Sequence, residues 1–178
     1  MELIGGLEKR PIEIVEYDLQ WPARFISERD RIAAALGPAA VRIDHIGSTA
    51  VPGLAAKPII DIQVSVRDVE DEASYLPALE RVGDELRVRE PRHRMLRTPD
   101  KTVHVHVCTK GSEWERRHLL FRDLLRRSGE DRELYETVKR RLASRDWPTL
   151  DDYAAAKSQV IAQIMARAAP HDSNSTAP

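Results

Sequence analysis

His45-Ile46-Gly47-Ser48-Thr49-Ala50-Val51-Pro52-Gly53-Leu54-Ala55-Ala56-Lys57-Pro58-Ile59-Ile60-Asp61-Ile62-Gln63-Val64 is the stretch whose reading decides the fold. It leaves an apolar segment, crosses a loop of small residues to a lysine, and enters a second apolar segment with one carboxylate, Asp61. Glycine and serine leave the backbone accessible, so a turn of this make-up can bring N–H groups to a phosphate. Val41–Ile46 and Ile59–Val66 read as strands, with a single helical turn between them. By period two, Asp61, Gln63 and Ser65 share one face of the second strand, and Ile60, Ile62 and Val64 the other. A charge inside such a strand costs several kcal/mol unless it is paired, metal-bound or wet. Asp61 therefore needs a partner, either a metal or proton in a site or an arginine in a plain ion pair.

Working outward, residues 1–10 read as a flexible arm with Gly5-Gly6, and Ile12–Tyr17 as a short strand. Trp21-Pro22 opens a helix whose apolar residues recur at three- and four-residue steps until Gly37-Pro38 stops it. Val69–Val82 reads as an amphipathic helix containing Pro77. Asp84–Glu90, His93–Thr98 and Thr102–Thr109 read as three strands of an antiparallel meander; in the last, His104 and His106 face away from Val103, Val105 and Val107. The remainder is helical. Ser112 caps a helix to about Arg127 with Trp114, His118, Phe121 and Leu125 on one stripe. A second helix spans Asp131–Ala143, and Thr149 caps a third that continues to about Ala168. The tail 170–178 is rich in Ser, Thr, Asn and Pro and reads as disordered. Residues 11–169 form one domain of α/β (α+β) class.

The totals exclude several functions. A chain of 178 residues with net charge -1 and 5% aromatic content is not a dedicated nucleic-acid binder. Its single cysteine, Cys108, rules out an internal disulfide and a Cys-rich zinc site. There is no apolar run of membrane-spanning length and no apolar segment typical of a signal peptide, so a cytoplasmic location is expected.

Chemistry concentrates in few residues. Gly47, Ser48 and Thr49 form the candidate phosphate turn. Lys57, extended by Pro58, can balance phosphate charge. His104 and His106, two apart on one strand face, can ligate one metal or contact a phosphate, and with Asp61 they make a mixed set. His45 is a candidate to face the same pocket. Among Arg87, Arg89, Arg92, Arg94 and Arg97, Arg94 is the candidate anion ligand, and His118 can point into a cleft from its helix. The plain alternatives are a ligand-free turn, half-buried histidines and a solvated hairpin.

The 45–54 motif, Lys57-Pro58-Ile59-Ile60-Asp61-Ile62, His104-Val105-His106-Val107 and Trp114–Asp123 resemble the GrpB family, as do Tyr135, Lys139, Tyr153 and Lys157. The resemblance spans roughly residues 11–167. It implies a nucleotidyltransferase-like fold, a mixed β-sheet flanked by helices with a helical C-terminal part, found alone or fused to dephospho-coenzyme A kinase. In the wider superfamily a Gly-Ser turn precedes a strand bearing two acids one residue apart. Gly47-Ser48 and Asp61 match; Gln63 occupies the second acid's position. The superfamily's third acid lies on a later strand, where this chain has His104 and His106. Asp61 with His104 or His106 is accordingly the expected catalytic set, holding a metal or moving a proton. Asp61 and His106 are the implied ligands of a divalent metal, Mg²⁺ or Mn²⁺, or Zn²⁺ given the histidines. The expected ligand is a nucleotide or phosphorylated small molecule. The two functional readings are nucleotidyl transfer and a non-catalytic binding or accessory module of coenzyme A metabolism.

Overall fold

The protein is described from a computed structural model covering residues 1–9 and 11–167, without the side chains of Leu150 and Asp151. The expected disordered tail, and the expected ends of the last helix at Ala168 and of the domain at 169, lie outside the described residues.

Six strands form one mixed sheet: β1 (Glu2–Leu3), β2 (Arg42–Ile46), β3 (Ile60–Val66), β4 (Glu85–Glu90), β5 (His93–Arg97) and β6 (Val103–Thr109), in the order β1-β4-β5-β6-β3-β2. The β3–β6 pair is parallel and every other pair antiparallel. The meander β4–β5–β6 thus docks against β3 as the alternation predicts.

The apolar set of β3 and β6, with Leu96, faces α1 (Trp21–Leu36) and α2 (Leu76–Arg81) in the main core. Trp21, Ile32 and Leu36 are the buried stripe of α1. The other sheet face carries Asp61, Gln63, His104 and His106 toward α3 (Glu113–Arg127), α4 (Gly129–Ala143), α5 (Leu150–Ala156) and α6 (Ser158–Ala166). These helices have a second core of their own, in which Leu125, Tyr135, Val160 and Ile164 enclose Val51 and Leu54 of the loop after β2. That packing fixes the loop. Ser112 and Ser128 cap α3 and α4, and Thr149 with Asp152 closes a capping box on α5.

Four expectations change. The N-terminal arm is not loose at its start: Glu2–Leu3 pairs with Val88–Arg89 and lengthens the sheet. Ile12–Tyr17 is not a strand; Val15 makes an isolated bridge to Ala56, with N–H to carbonyl bonds in both directions, and Ala56 lies in irregular chain. The helix expected over Val69–Val82 shrinks to Leu76–Arg81 behind a 3-10 turn at Glu72–Ser74. Pro77 sits in its first turn, where a missing N–H costs nothing, and so sets the start of the helix. The last helix breaks at Lys157, whose N–H bonds Ala154 rather than continuing the i−4 ladder.

Candidate functional site

A cleft of about 460 Å³ lies between the second sheet face and the helical layer. Its floor follows from strand register. Asp61 pairs with His104 across β3–β6 and with Ile46 across β3–β2, so the carboxylate lies beside both the histidine strand and the Gly47-Ser48 turn. Gly47 is required twice over. Its φ is 69°, in the left-handed region, and a Cβ there would come within 2.5 Å of Asp61 Oδ2.

Asp61 Oδ1 lies 3.4 Å from His106 Nε2 and 3.5 Å from His104 Nδ1. One ligand atom from each of the three residues falls within 4.8 Å of the others. Burial pushes the Asp61 carboxyl up, but hydrogen bonds and charge from His104 and His106 outweigh it and hold the group well below its usual range. Asp61 is therefore ionised. His106 Nδ1 lies 3.0 Å from His93 Nε2, and His93 Nδ1 lies 2.7 Å from Glu90 Oε1. Burial foremost, then the nearby His106, lowers His93 to about 2, so the ring is neutral.

With His93 donating from Nδ1 to Glu90, its Nε2 accepts from His106 Nδ1–H, which orients the His106 ring. A cation at Asp61 would replace the contact of His106 Nε2 with the carboxylate and take that nitrogen's lone pair. A set of two imidazoles and one carboxylate matches Zn²⁺ or another transition metal better than Mg²⁺, which prefers oxygen ligands.

Gln63 is fully buried and does not line the cleft, and neither of its amide atoms has a hydrogen-bond partner. The position of the superfamily's second acid thus offers nothing to a bound ligand.

The turn residues divide. Ser48 lines the cleft, and its Oγ accepts from Lys139 Nζ at 3.0 Å. Thr49, expected as a ligand, does not present its hydroxyl: Oγ1 donates to the Ile59 carbonyl at 3.0 Å and contacts His45. His45, expected to face the pocket, lies on the other sheet face opposite Ile62 and stacks on Phe25 with ring centroids 4.7 Å apart. Arg94 is a further correction. It pairs with Val107 on the core side of the sheet, and its guanidinium is held by Glu70 and Glu72, outside the cleft. His118 lines the cleft as expected. Its Nδ1 donates to the Trp114 carbonyl at 2.8 Å, and burial lowers it to about 4, which leaves Nε2 as a neutral lone pair. Trp114 stacks on His118, His93 and His106, and so braces the imidazoles.

Lys57, expected in the site, lines the cleft. The structure adds Lys139, Lys157, Tyr135 and Tyr153, which the sequence reading named only for their family resemblance. Lys139 is buried, donates to the Ala55 carbonyl at 2.6 Å and lies over the Tyr135 ring. Burial first, then the charge of Lys157, pushes it down to about 7. Lys157 is lowered by burial and by Lys57 to about 8, and its ammonium lies 4.7 Å from the Tyr153 ring centre. The missed signal was a lysine inside the buried stripe Asp131, Tyr135, Lys139, Leu142 of α4.

Comparison with known proteins agrees with this architecture. The described fold is nucleotidyltransferase-like: the Cid1 poly(U) polymerase bound to MgGTP superposes with a TM-score of 0.53 at 16% identity, over 80% of this chain and 50% of that one. The family profile described as GrpB protein matches residues 11–167, and the chain belongs to the GrpB family. A UPF0157 protein of Streptomyces coelicolor is 52% identical over 94% of this chain and 90% of that protein. GrpB from Enterococcus faecalis, a crystal structure, gives a TM-score of 0.76 at 33% identity, over 87% of this chain and 98% of that one. A dephospho-CoA kinase of Mycolicibacterium paratuberculosis is 30% identical over 85% of this chain, which spans 44% of that protein. Among the described residues, no helix is long and apolar enough to cross a membrane.

Proposed function

We propose that the cleft binds a nucleotide or phosphorylated small molecule and transfers its nucleotidyl group with help from a divalent transition metal. One observation carries the reading. Among the described residues, Lys57, Arg87, Arg97, Lys139 and Lys157 line the cleft with two carboxylates, Glu8 and Asp61, in a chain of net charge -1. Cations gathered in a half-enclosed cleft call for an anionic ligand.

Ser48, Lys139, Lys57 and Lys157 would hold the phosphates, and Tyr153 offers an apolar face beside them. Asp61, His104 and His106 would hold the metal, which when bound would stabilise charge developing on a phosphoryl oxygen. His118, neutral, can accept a proton at Nε2 from a hydroxyl acceptor.

The test is calorimetric titration of ATP, with and without Mn²⁺ or Zn²⁺, into the protein and Lys157→Met. Metal-enhanced binding, weakened at least about tenfold in the variant, is the expected outcome. Absence of binding by ATP, UTP and dephospho-coenzyme A alike would refute the reading. Gln63, buried and outside the cleft lining, favours a second reading, a module that binds such a ligand without transferring any group. Tight binding with no product in a nucleotide-turnover assay supports that one, and it fits the likeness to part of a dephospho-CoA kinase.

A further inference from the structure

The cationic residues of the cleft fall into two groups on either side of Asp61. Lys57, Lys139 and Lys157 lie with Ser48 beyond the β2 edge. Arg87 and Arg97 project from β4 and β5 on the other side. Arg97 pairs in register with His104, and His104 with Asp61, so the three form one row across adjacent strands. Strand spacing of about 4.8 Å puts the Arg97 backbone roughly 10 Å from that of Asp61. A ligand bound at Ser48 and reacting near Asp61 would leave this second group to a different molecule.

The second group already holds a carboxylate. Arg97 Nη1 and Nη2 donate to the two oxygens of Glu8 at 2.9 and 2.8 Å, in a two-pronged fork. Lys101 Nζ donates to the same carboxylate at 3.1 Å, and Arg87 Nη2 lies 3.7 Å away. Among the described residues, three cations therefore face this one anion. Arg87 and Arg97 are each only 8% exposed, and Arg97 Nε is buried without a hydrogen-bond partner. The site thus has more positive charge and more donors than Glu8 uses.

Glu8 does not come from the rigid frame. It lies between β1 and α1, in a segment without regular structure that follows Gly5 and Gly6, both at positive φ of 81° and 78°. Gly5 packs directly on the Arg87 guanidinium, where no Cβ would fit. The arm turns over the cationic group at two glycines; Ile4 N–H donates to the Arg87 carbonyl at 2.8 Å, Arg87 Nη2 donates to the Gly6 carbonyl at 3.2 Å, and the Glu8 carboxylate fills the fork.

We infer that Arg87, Arg97 and Lys101 form a second anion subsite, which takes a phosphate or carboxylate group of the acceptor molecule and which Glu8 fills from within the same chain until that group displaces it. This rests on the cleft being a ligand site, and it adds the acceptor's chemistry: an anionic group on the opposite side of Asp61 from the phosphate turn. A tethered carboxylate competes at an effective concentration in the millimolar range or above, so removing it should raise the affinity for an external anion on the order of tenfold.

The experiment follows the Arg97 Nε–H resonance in ¹⁵N-arginine-labelled full-length protein. Inorganic phosphate and acetate are titrated separately into wild type, Glu8→Gln, Glu8→Asp and Glu8→Gln/Arg97→Met. The expected result is an Arg97 shift in Glu8→Gln at about one tenth of the wild-type anion concentration, a smaller gain in Glu8→Asp, and, read on the Arg87 Nε–H resonance, no saturable shift once Arg97 is replaced. Response to phosphate alone identifies a phosphate acceptor, and response to acetate alone a carboxylate acceptor. Equal anion affinity in wild type and both Glu8 variants would overturn the inference and leave Glu8 as a structural ion pair. Repeating the titration in Lys139→Met separates the subsites. Loss of ATP binding with the Arg97 response kept concerns only the Ser48 end, and the converse only this one.

Discussion

Replacing Lys139 with methionine should make the protein more stable at neutral pH while weakening its ligand binding. Lys139 is buried, and its ammonium is lowered from 10.5 to about 7 in the folded chain. The difference of about 3.5 pH units corresponds to roughly 5 kcal/mol of folding free energy lost below that pH. Methionine matches the lysine stem in length but leaves the Ala55 carbonyl and Ser48 hydroxyl without this donor, which costs about 1–3 kcal/mol. The net expectation is a variant about 2–4 kcal/mol more stable near pH 6.

The sign with pH is fixed. Between the folded and unfolded pKa values the unfolded chain binds the extra proton. The penalty from Lys139 is therefore complete below about pH 7 and vanishes as pH rises toward 10.5. Urea unfolding of both proteins at about pH 6, 8 and 10 measures this as a gap that closes with rising pH. Lys157 acts on Lys139 through its charge, so the same comparison in a Lys157→Met background isolates the contribution of Lys139. A variant less stable than wild type at the lowest pH, or a gap that does not change with pH, would refute the claim that Lys139 is held under strain for an anion. Loss of ATP binding in the stabilised variant would complete the trade-off.

Three further outcomes are expected. Gly47→Ala should lose at least about 2 kcal/mol in thermal or urea unfolding, because it combines left-handed backbone with a Cβ against Asp61 Oδ2. His93→Gln should weaken Zn²⁺ or Mn²⁺ binding by about 10- to 100-fold in calorimetry, since it breaks the Glu90–His93–His106 chain without touching the metal-facing atoms. Asp61→Asn should flatten the acid limb of unfolding. The wild-type carboxylate, depressed in the fold, stabilises above its unfolded value of about 3.8 and loses that contribution as pH falls below it, so the two stability curves should converge in acid.

The site's core was legible because its residues violate local rules. Asp61 inside an apolar strand, Gly47-Ser48 before it, and two histidines on one strand face are readable by period two alone, and period two does not depend on what packs above the strand. His118 was legible for the same reason, as a polar residue in an apolar helical stripe. Alternation gives a side chain a face but not a partner. Arg94 faces the core side, where Glu70 and Glu72 neutralise it, and Thr49 lines the cleft while its hydroxyl donates to Ile59. His45 turns from the pocket because pairing with Ile62 puts it on the Phe25 side.

By itself the sequence determined five of the six strands, the Ser112 and Thr149 caps, the phosphate-type turn and the lone carboxylate, since each depends on spacing and local chemistry within a few residues. It also carried the family. Only the tertiary structure decided which charges meet. Lys139 reaches Ser48 across 91 positions, His106 reaches Asp61 across 45, and Arg97 reaches Glu8 across 89. Those contacts arise because the helical layer packs Val51 and Leu54 into its own core and because β6 docks parallel to β3. Both are consequences of burying apolar surface, which sets where distant polar groups end up without any trace of the pairing in the local sequence.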